Sequence, residues 1–236
     1  MMNPIDLGII HFLNRYAGAS HVFDTLTVGW AFNDLLKAGP LLLVIFGLWF
    51  QPGDGAAIQE RRLGIVAMLA AACFAAATSV ALTHLLPDRA RPLIHPGVNF
   101  VLPDGMERTG WDRASSMPSD HAAMYFALAG GLWFASRFCG VLGLIYCILF
   151  IAFPRLYTGL HFPSDLAAGA AIGLGFAWLM QRDFIRTHIW RPVLDWEVRK
   201  PHIFYPPMLL LAFTIGDLFR DARDVLHMLT TTLPHG

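Results

Sequence analysis

Apolar residues run through this chain in long blocks, separated by short polar segments, rather than at alternate or every-third positions. A helix needs about 17–25 mostly apolar residues to cross the hydrocarbon core of a bilayer. Blocks of that kind occupy about 25–50, 63–86, 120–138, 140–158 and 165–181, and each predicts a spanning helix. A sixth, about 203–219 (IFYPPMLLLAFTIGDLF), holds two prolines and Asp217, which predicts a marginal span or a helix lying at the interface. Residues 4–22 are short and mixed, the pattern of an interfacial amphipathic piece rather than a span. The expected fold is all-α, a polytopic transmembrane helical bundle of about five to six spans, in one domain over residues 1–236.

Composition agrees with that pattern. The 236 residues are 56% hydrophobic and 14% charged, against about 45–50% and about 25% in ordinary soluble domains. Lysine plus arginine (17) equals aspartate plus glutamate (17), so net charge points to no nucleic-acid partner. Cys73, Cys139 and Cys147 fall inside apolar blocks without metal-ligand spacing and read as lone buried thiols. The N-terminal MMNPIDLGIIHFLNRYAG lacks the basic, apolar and small-residue order of a removable signal peptide. Small residues crowd the second and fifth blocks, and Gly169 with Gly173 forms a small-xxx-small pair that lets two helices approach closely.

Basic residues predict the orientation. Arg61 and Arg62 lie between spans one and two, and Arg137 between spans three and four. Arg182, Arg186, Arg191, Arg199 and Lys200 follow span five. These segments share one side, which the positive-inside rule makes cytoplasmic. The other links, 87–119 and 159–164, then face outward, yet they and their flanks carry Arg89, Arg91, Arg108, Arg113 and Arg155. Arginines that hold an anionic ligand would account for that exception.

Three polar clusters stand at span ends on this outward side. HLLPDRARP contains His84, Arg89 and Arg91; PSDH contains Ser119, Asp120 and His121; PRLYTGLHFPSD contains Arg155, His161 and Asp165. Charged groups near hydrocarbon are costly, so their convergence predicts a shared polar pocket. Each also has a plain structural reading: Ser119 as a helix cap, Arg155 as a snorkelling side chain, His84 as an interfacial histidine. Pro163 argues against one helix through His161 and Asp165, and places His161 in a turn with Asp165 opening the fifth span. Together the clusters suit one chemistry. Two guanidinium forks and a helix N-terminus neutralise a phosphoryl group. A neutral histidine with a carboxylate on its second nitrogen is a tautomer-fixed nucleophile or base, and another histidine supplies a proton. That inventory fits phosphoryl transfer through a phosphohistidine. It includes no carboxylate cluster for magnesium, so neither a metal nor another cofactor is expected.

R-P at 91–92, P-S-x-H at 118–121 and R-x5-H-x3-D at 155–165 resemble the three signatures of the type-2 phosphatidic acid phosphatase superfamily. That family is related to bacterial acid phosphatases and vanadium haloperoxidases. The resemblance covers about 80–175 well, the first two spans loosely and the basic tail from 182 hardly at all. Within the family, PSDH, RPLIHPGVNFVLPDG and FPRLYTGLHFPSDLAAG look like the corresponding segments of bacterial undecaprenyl-diphosphatases. The resemblance implies that His161 is the nucleophile and Asp165 its orienting partner, with His121 the general acid and later the base for water. It implies that Arg91, Arg155, Ser119 and the backbone around Asp120 hold phosphate. Two positions depart from the family pattern. His84 stands where a lysine is usual, so Arg89 is the candidate for the missing positive charge, and Pro154 replaces a common serine.

The expectation is an inner-membrane phosphatase that removes the terminal phosphate of undecaprenyl diphosphate on the outward face. Its partners are a lipid phosphate and the membrane, and the sequence leaves the oligomeric state open. Rival expectations are a phosphatase of glycerol-based lipid phosphates, a lipid-to-lipid phosphotransferase, and a lipid-phosphate-binding protein with weak catalysis. A haloperoxidase fits the motifs but not the hydrophobic spans.

Overall fold

The computed structural model describes residues 3–108 and 115–217; Arg113 and the last two residues of the sixth candidate span lie outside them. Every regular element among the described residues is helical. α1 (Pro4–Asn14) is capped by Asn3 and followed by α2 (His21–Phe32) and α3 (Asp34–Phe50). α4 (Gly55–Leu85) precedes the long outer loop, and α5 (Asp120–Ala135) and α6 (Arg137–Tyr157) are joined through Ser136. α7 (Pro163–Met180) is followed by a short helical stretch, Asp183–Ile185 and Arg186–Trp190, that runs into α8 (Arg191–Arg199). α9 (Pro201–Gly216) is the last element among the described residues.

The first candidate span is not one straight helix. α2 and α3 meet at 65° across Asn33, whose side chain caps α3 by accepting from the Leu36 N–H. An asparagine followed by aspartate is a strong helix-start signal inside the apolar block, and it overrides the hydropathy that joined residues 25–50. Three helices are long and apolar enough to cross a membrane, or four if the bent pair counts as one. α5 and α9 have 16 residues each, about 24 Å at 1.5 Å per residue, less than a full hydrocarbon core. α6 contains a π-helical stretch, Cys147–Ala152, directly before Pro154. Proline has no N–H to donate and its ring crowds the carbonyl four residues back, so the wider turn accommodates it.

The core forms where α5 packs between α4 and α7. α5 is buried on nearly all sides from Ala122 to Leu132. Its contact with α7 is backbone on backbone. A Cβ added at Gly169 would lie 2.3 Å from the Ser119 carbonyl oxygen, and one at Gly173 would lie 2.2 Å from that of Ala123. The small-residue spacing therefore does the packing expected of it. At one end of the bundle Arg186 and Arg191 bond Glu60, and Arg62 bonds Glu197. This gathers the basic segments on one side, as the charge pattern predicted. The end of α4 and the starts of α5 and α7 lie at the other.

These close approaches predict an inversion of helix propensity. Alanine is a better helix former than glycine by about 1 kcal/mol, but Gly173→Ala forces α5 and α7 apart and should cost about 1–3 kcal/mol net. Gly175 has open space around it, so Gly175→Ala should be neutral or stabilising. Melting temperatures of the two variants in detergent check this, and equal values would disprove the close contact.

Candidate functional site

The site is assembled at the end of the bundle opposite the basic segments. Phe162 precedes α7, and Asp165 in its first turn accepts from the Phe162 N–H at 2.7 Å. This closes a turn in which Gly159, at φ +68°, adopts the left-handed backbone with the Phe100 ring against it. His161 stands in that turn, as Pro163 led one to expect, and is only 4% exposed. Its amide and that of Leu160 donate to the Arg155 carbonyl at 3.4 and 3.0 Å. The Arg91 guanidinium donates to the Leu160 carbonyl at 3.1 Å, and the Leu93 amide to Gly159 at 3.0 Å. The loop after α4 and the turn after α6 are thus joined at the residues flanking His161.

The second cluster is joined to the third through the backbone. The Ser119 amide donates to the Asp165 carbonyl at 3.1 Å, while the Ser119 hydroxyl accepts from the Ala122 N–H at 3.3 Å. Ser119 is fully buried and acts as the cap of α5. One residue on, the Asp120 carboxylate lies 2.9 Å from His121 Nδ1 and also accepts the His121 amide at 2.8 Å. The Asp120 charge lies within electrostatic reach of His161 and Arg155 as well.

His161 Nδ1 lies 2.8 Å from the Ser116 carbonyl and 3.9 Å from Asp165 Oδ2. A carbonyl can only accept, so the proton is on Nδ1 and the lone pair on Nε2. The sequence-based expectation had Asp165 as the direct partner. Here Asp165 accepts from Phe162 and Arg89, and the bond to His161 comes from a carbonyl that no motif marks. Burial first, then the guanidinium groups of Arg91 and Arg155, hold the His161 imidazole well below the ordinary histidine range. The ring is neutral at physiological pH.

Arg155, 2% exposed, donates to the Ala31 carbonyl at 3.4 Å, in the last turn of α2 beside the Asn33 break. Its buried Nε–H has no acceptor among the described residues, and neither has the buried hydroxyl of Tyr125, one turn beyond His121. The Tyr125 ring lies 6.4 Å from that of His121, centroid to centroid, and buried donors left without acceptors beside these residues suit an oxygen-rich anion.

Three arginine and histidine expectations are revised. Arg89 does not point its charge toward Arg91 and Arg155. It bonds Asp165 Oδ1 at 2.5 Å, Ser164 Oγ at 2.7 Å and Asp6 at 2.7 Å, with its guanidinium 4.3 Å from the Phe162 ring centroid. His84 is exposed on the last turn of α4, with no hydrogen bond or ion pair among the described residues. Arg108 donates to the carbonyls of Leu93 and Phe100, each at 2.6 Å, and so ties the outer loop together. Asp6 was missed altogether. Its only signal was a carboxylate in an otherwise apolar amphipathic stretch.

With that geometry in view, similarity to known proteins becomes interpretable. Residues 62–188 match the family model of the PAP2 superfamily, and the chain belongs to that superfamily. It is a multi-pass, all-helical membrane protein of the phosphatase class. The chain is 30% identical to lipid A 1-diphosphate synthase of Escherichia coli (strain K12) over 193 residues, 75% of this chain and 76% of that protein. It is 26% identical to YbjG of the same organism, named as a candidate undecaprenyl-diphosphatase, over 176 residues, 74% of this chain and 80% of that protein. The bacitracin transport permease protein BcrC of Bacillus licheniformis is 32% identical over 60 residues, 25% of this chain and 29% of that protein. No solved structure gives a significant match.

The lowered His161 pKa carries a pH signature. Below about pH 6.5 the unfolded chain takes up a proton at this residue and the folded protein does not, so stability falls as pH falls from there. His161→Gln, which keeps a donor for Ser116, should shrink the drop in melting temperature between about pH 7 and about pH 5. An undiminished drop would show that this imidazole is not held neutral.

Proposed function

We propose that this protein is a membrane lipid phosphatase that removes the terminal phosphate of undecaprenyl diphosphate through a phosphohistidine on His161. The observation that carries the reading is the His161 ring: Ser116 takes its Nδ1–H, and the buried ring, with its Nε2 lone pair left over, lies within electrostatic reach of Arg91 and Arg155. Nε2 attacks the terminal phosphorus, forming an N–P bond as the bridging P–O bond breaks. Arg91, Arg155, the Ser119 hydroxyl and the Asp120 N–H at the start of α5 neutralise the phosphoryl oxygens. His121, its Nδ1 held by Asp120, gives a proton to the departing oxygen. It then takes one from water, whose oxygen attacks phosphorus and releases His161. No step calls on a metal.

The outward-facing orientation and the inner membrane as residence rest on the basic residues at the far end. The polyprenyl diphosphate is supported by the PSDH-type motif and by the likeness to YbjG. A second reading has one observation behind it, the 30% identity to lipid A 1-diphosphate synthase. In that reading the phosphoryl group on His161 passes to the hydroxyl or phosphate of another lipid instead of water.

A panel of lipid phosphates assayed with the purified protein tests both. Phosphate release should be fastest with a polyprenyl diphosphate, unchanged by EDTA, and abolished in His161→Ala. Release only from glycerol-based lipids, or label moving onto a second lipid, would replace the proposed substrate or acceptor. His121→Ala should cost about 10²–10⁴ in rate on a lipid monophosphate, and less on a diphosphate, whose leaving phosphate needs less protonation. Equal losses on the two would remove His121 as the general acid.

A further inference from the structure

Asp6 lies on α1, far in sequence from every cluster of the site, yet it is 1% exposed. It accepts from the Ser164 amide at 2.9 Å, from the Ser164 hydroxyl at 2.6 Å and from Arg89 at 2.7 Å. The Ser164 amide belongs to the first turn of α7, which has no side-chain cap of the ordinary kind at Phe162. Asp6 therefore caps α7 from another helix, where a carboxylate also meets the positive end of the helix dipole. Burial alone would raise the pKa of this carboxyl. The bonds from Ser164 and Arg89 outweigh that and hold it below the usual range, so it is ionised.

Through Arg89 the same carboxylate reaches Asp165, whose other oxygen closes the turn carrying His161. The rest of α1 is fastened to the same loops. Ile10 is buried with Leu93, Val98, Phe100, Leu160 and Phe162. Asn14 exchanges two hydrogen bonds with Val101, at 2.6 and 2.8 Å. On a separate face Ile5, Ile9 and Phe12, spaced by four and three residues, are 68%, 38% and 51% exposed. An apolar stripe of that spacing on a short helix seats in the bilayer interface. So α1 stands between lipid and both loops of the site.

We propose that α1 is an interface-seated strap over the site and that Asp6 is a positioning residue, which through Ser164 and Arg89 sets where Asp165 and the His161 turn stand. This role rests on the phosphohistidine reading above for its kinetic consequence, but not for its structural one. In a static cap, loss of Asp6 lowers stability alone. In a strap it misplaces the nucleophile, and a displacement of about 1 Å can cost about 10²-fold in rate.

The test compares the full-length protein with Asp6→Asn and Asp6→Glu in lipid nanodiscs, by turnover of a lipid diphosphate and by amide hydrogen exchange over residues 159–166. Asp6→Asn should lower kcat by about tenfold or more with KM nearly unchanged, as expected when ground-state binding is intact. Its amides over 159–166 should exchange faster, and Asp6→Glu should restore part of both. If Asp6→Asn proves too unstable to purify, Ser164→Ala removes a single donor and should show the same two changes at smaller size. Unchanged exchange in these variants, or a change in KM alone, would overturn the strap. A parent protein that turns over no lipid phosphate would overturn the function proposed above, and the exchange comparison would still decide the role of Asp6.

Discussion

The structure depends on one backbone contact between two apolar helices. α5 and α7 approach so closely at Gly169 and Gly173 that a single added carbon at either would strike the carbonyl of Ser119 or Ala123. At the upper end of this contact the Ser119 amide donates to the Asp165 carbonyl. A hydrogen bond in a region with little water to compete is geometrically demanding, and here it locks the register of the two helices. The start of α5 brings Asp120 and His121, and the start of α7 brings the turn with His161. The relation of the two histidines is thus set by packing several residues away from either. α4 and the loop after it then complete the pocket with Arg91, bonded to the carbonyl beside His161.

Much of this could be read from the chain, because long apolar blocks and glycine spacing are local properties. The all-helical bundle, the gathering of basic segments at one end and the turn before Pro163 all followed from such patterns. The break at Asn33 was also local, but hydropathy averaged over a window conceals a short polar cluster, Asn33, Asp34 and Lys37, among twenty-six residues. What could not be read was the choice of partners. Asp165 sits four residues from His161, so sequence proximity made it the natural acceptor for Nδ1. The Ser116 carbonyl took that position because every residue has a carbonyl and none is marked by its side chain. Asp6 was hidden for a related reason: in a short amphipathic stretch one carboxylate looks like part of a solvated face, and only tertiary structure shows it buried.

The two imidazoles are held in different ways, and the difference has chemical content. His161 Nδ1 faces a neutral carbonyl, which fixes the tautomer without adding a negative charge beside it, while two guanidinium groups disfavour its protonation. A nucleophile needs that combination, a free lone pair that stays free as an anion arrives. His121 Nδ1 faces the carboxylate of Asp120 instead. That counter-ion favours a proton on the ring, against the opposing effects of burial and of Arg155, which the ring shares with His161. The two rings thus differ in the type of acceptor on Nδ1, a carbonyl for His161 and a carboxylate for His121.

The departure at His84 remains to be reconciled with a site for a phosphoryl group. An exposed histidine at the end of α4 adds no fixed charge, and Arg89 faces away from the pocket. The local backbone explains why Arg89 and Arg91 differ. Residues 87–91 form no regular helix or turn, and in an extended chain side chains two apart share a side only if the strand is straight. Here the two side chains take different partners, Arg89 the carboxylates of Asp6 and Asp165 and Arg91 the Leu160 carbonyl beside His161. Charge is thereby paired beside the His161 turn: Arg89 places one positive charge between the carboxylates of Asp6 and Asp165, and the Asp165 charge still reaches Arg91. Asp120 lies within electrostatic reach of Arg91 and Arg155 as well, so their positive charge acts on an anion against these carboxylates. Without Arg89 both carboxylates would stand uncompensated beside the His161 turn, so its pairings lower the negative charge near the site even though His84 adds no fixed positive one.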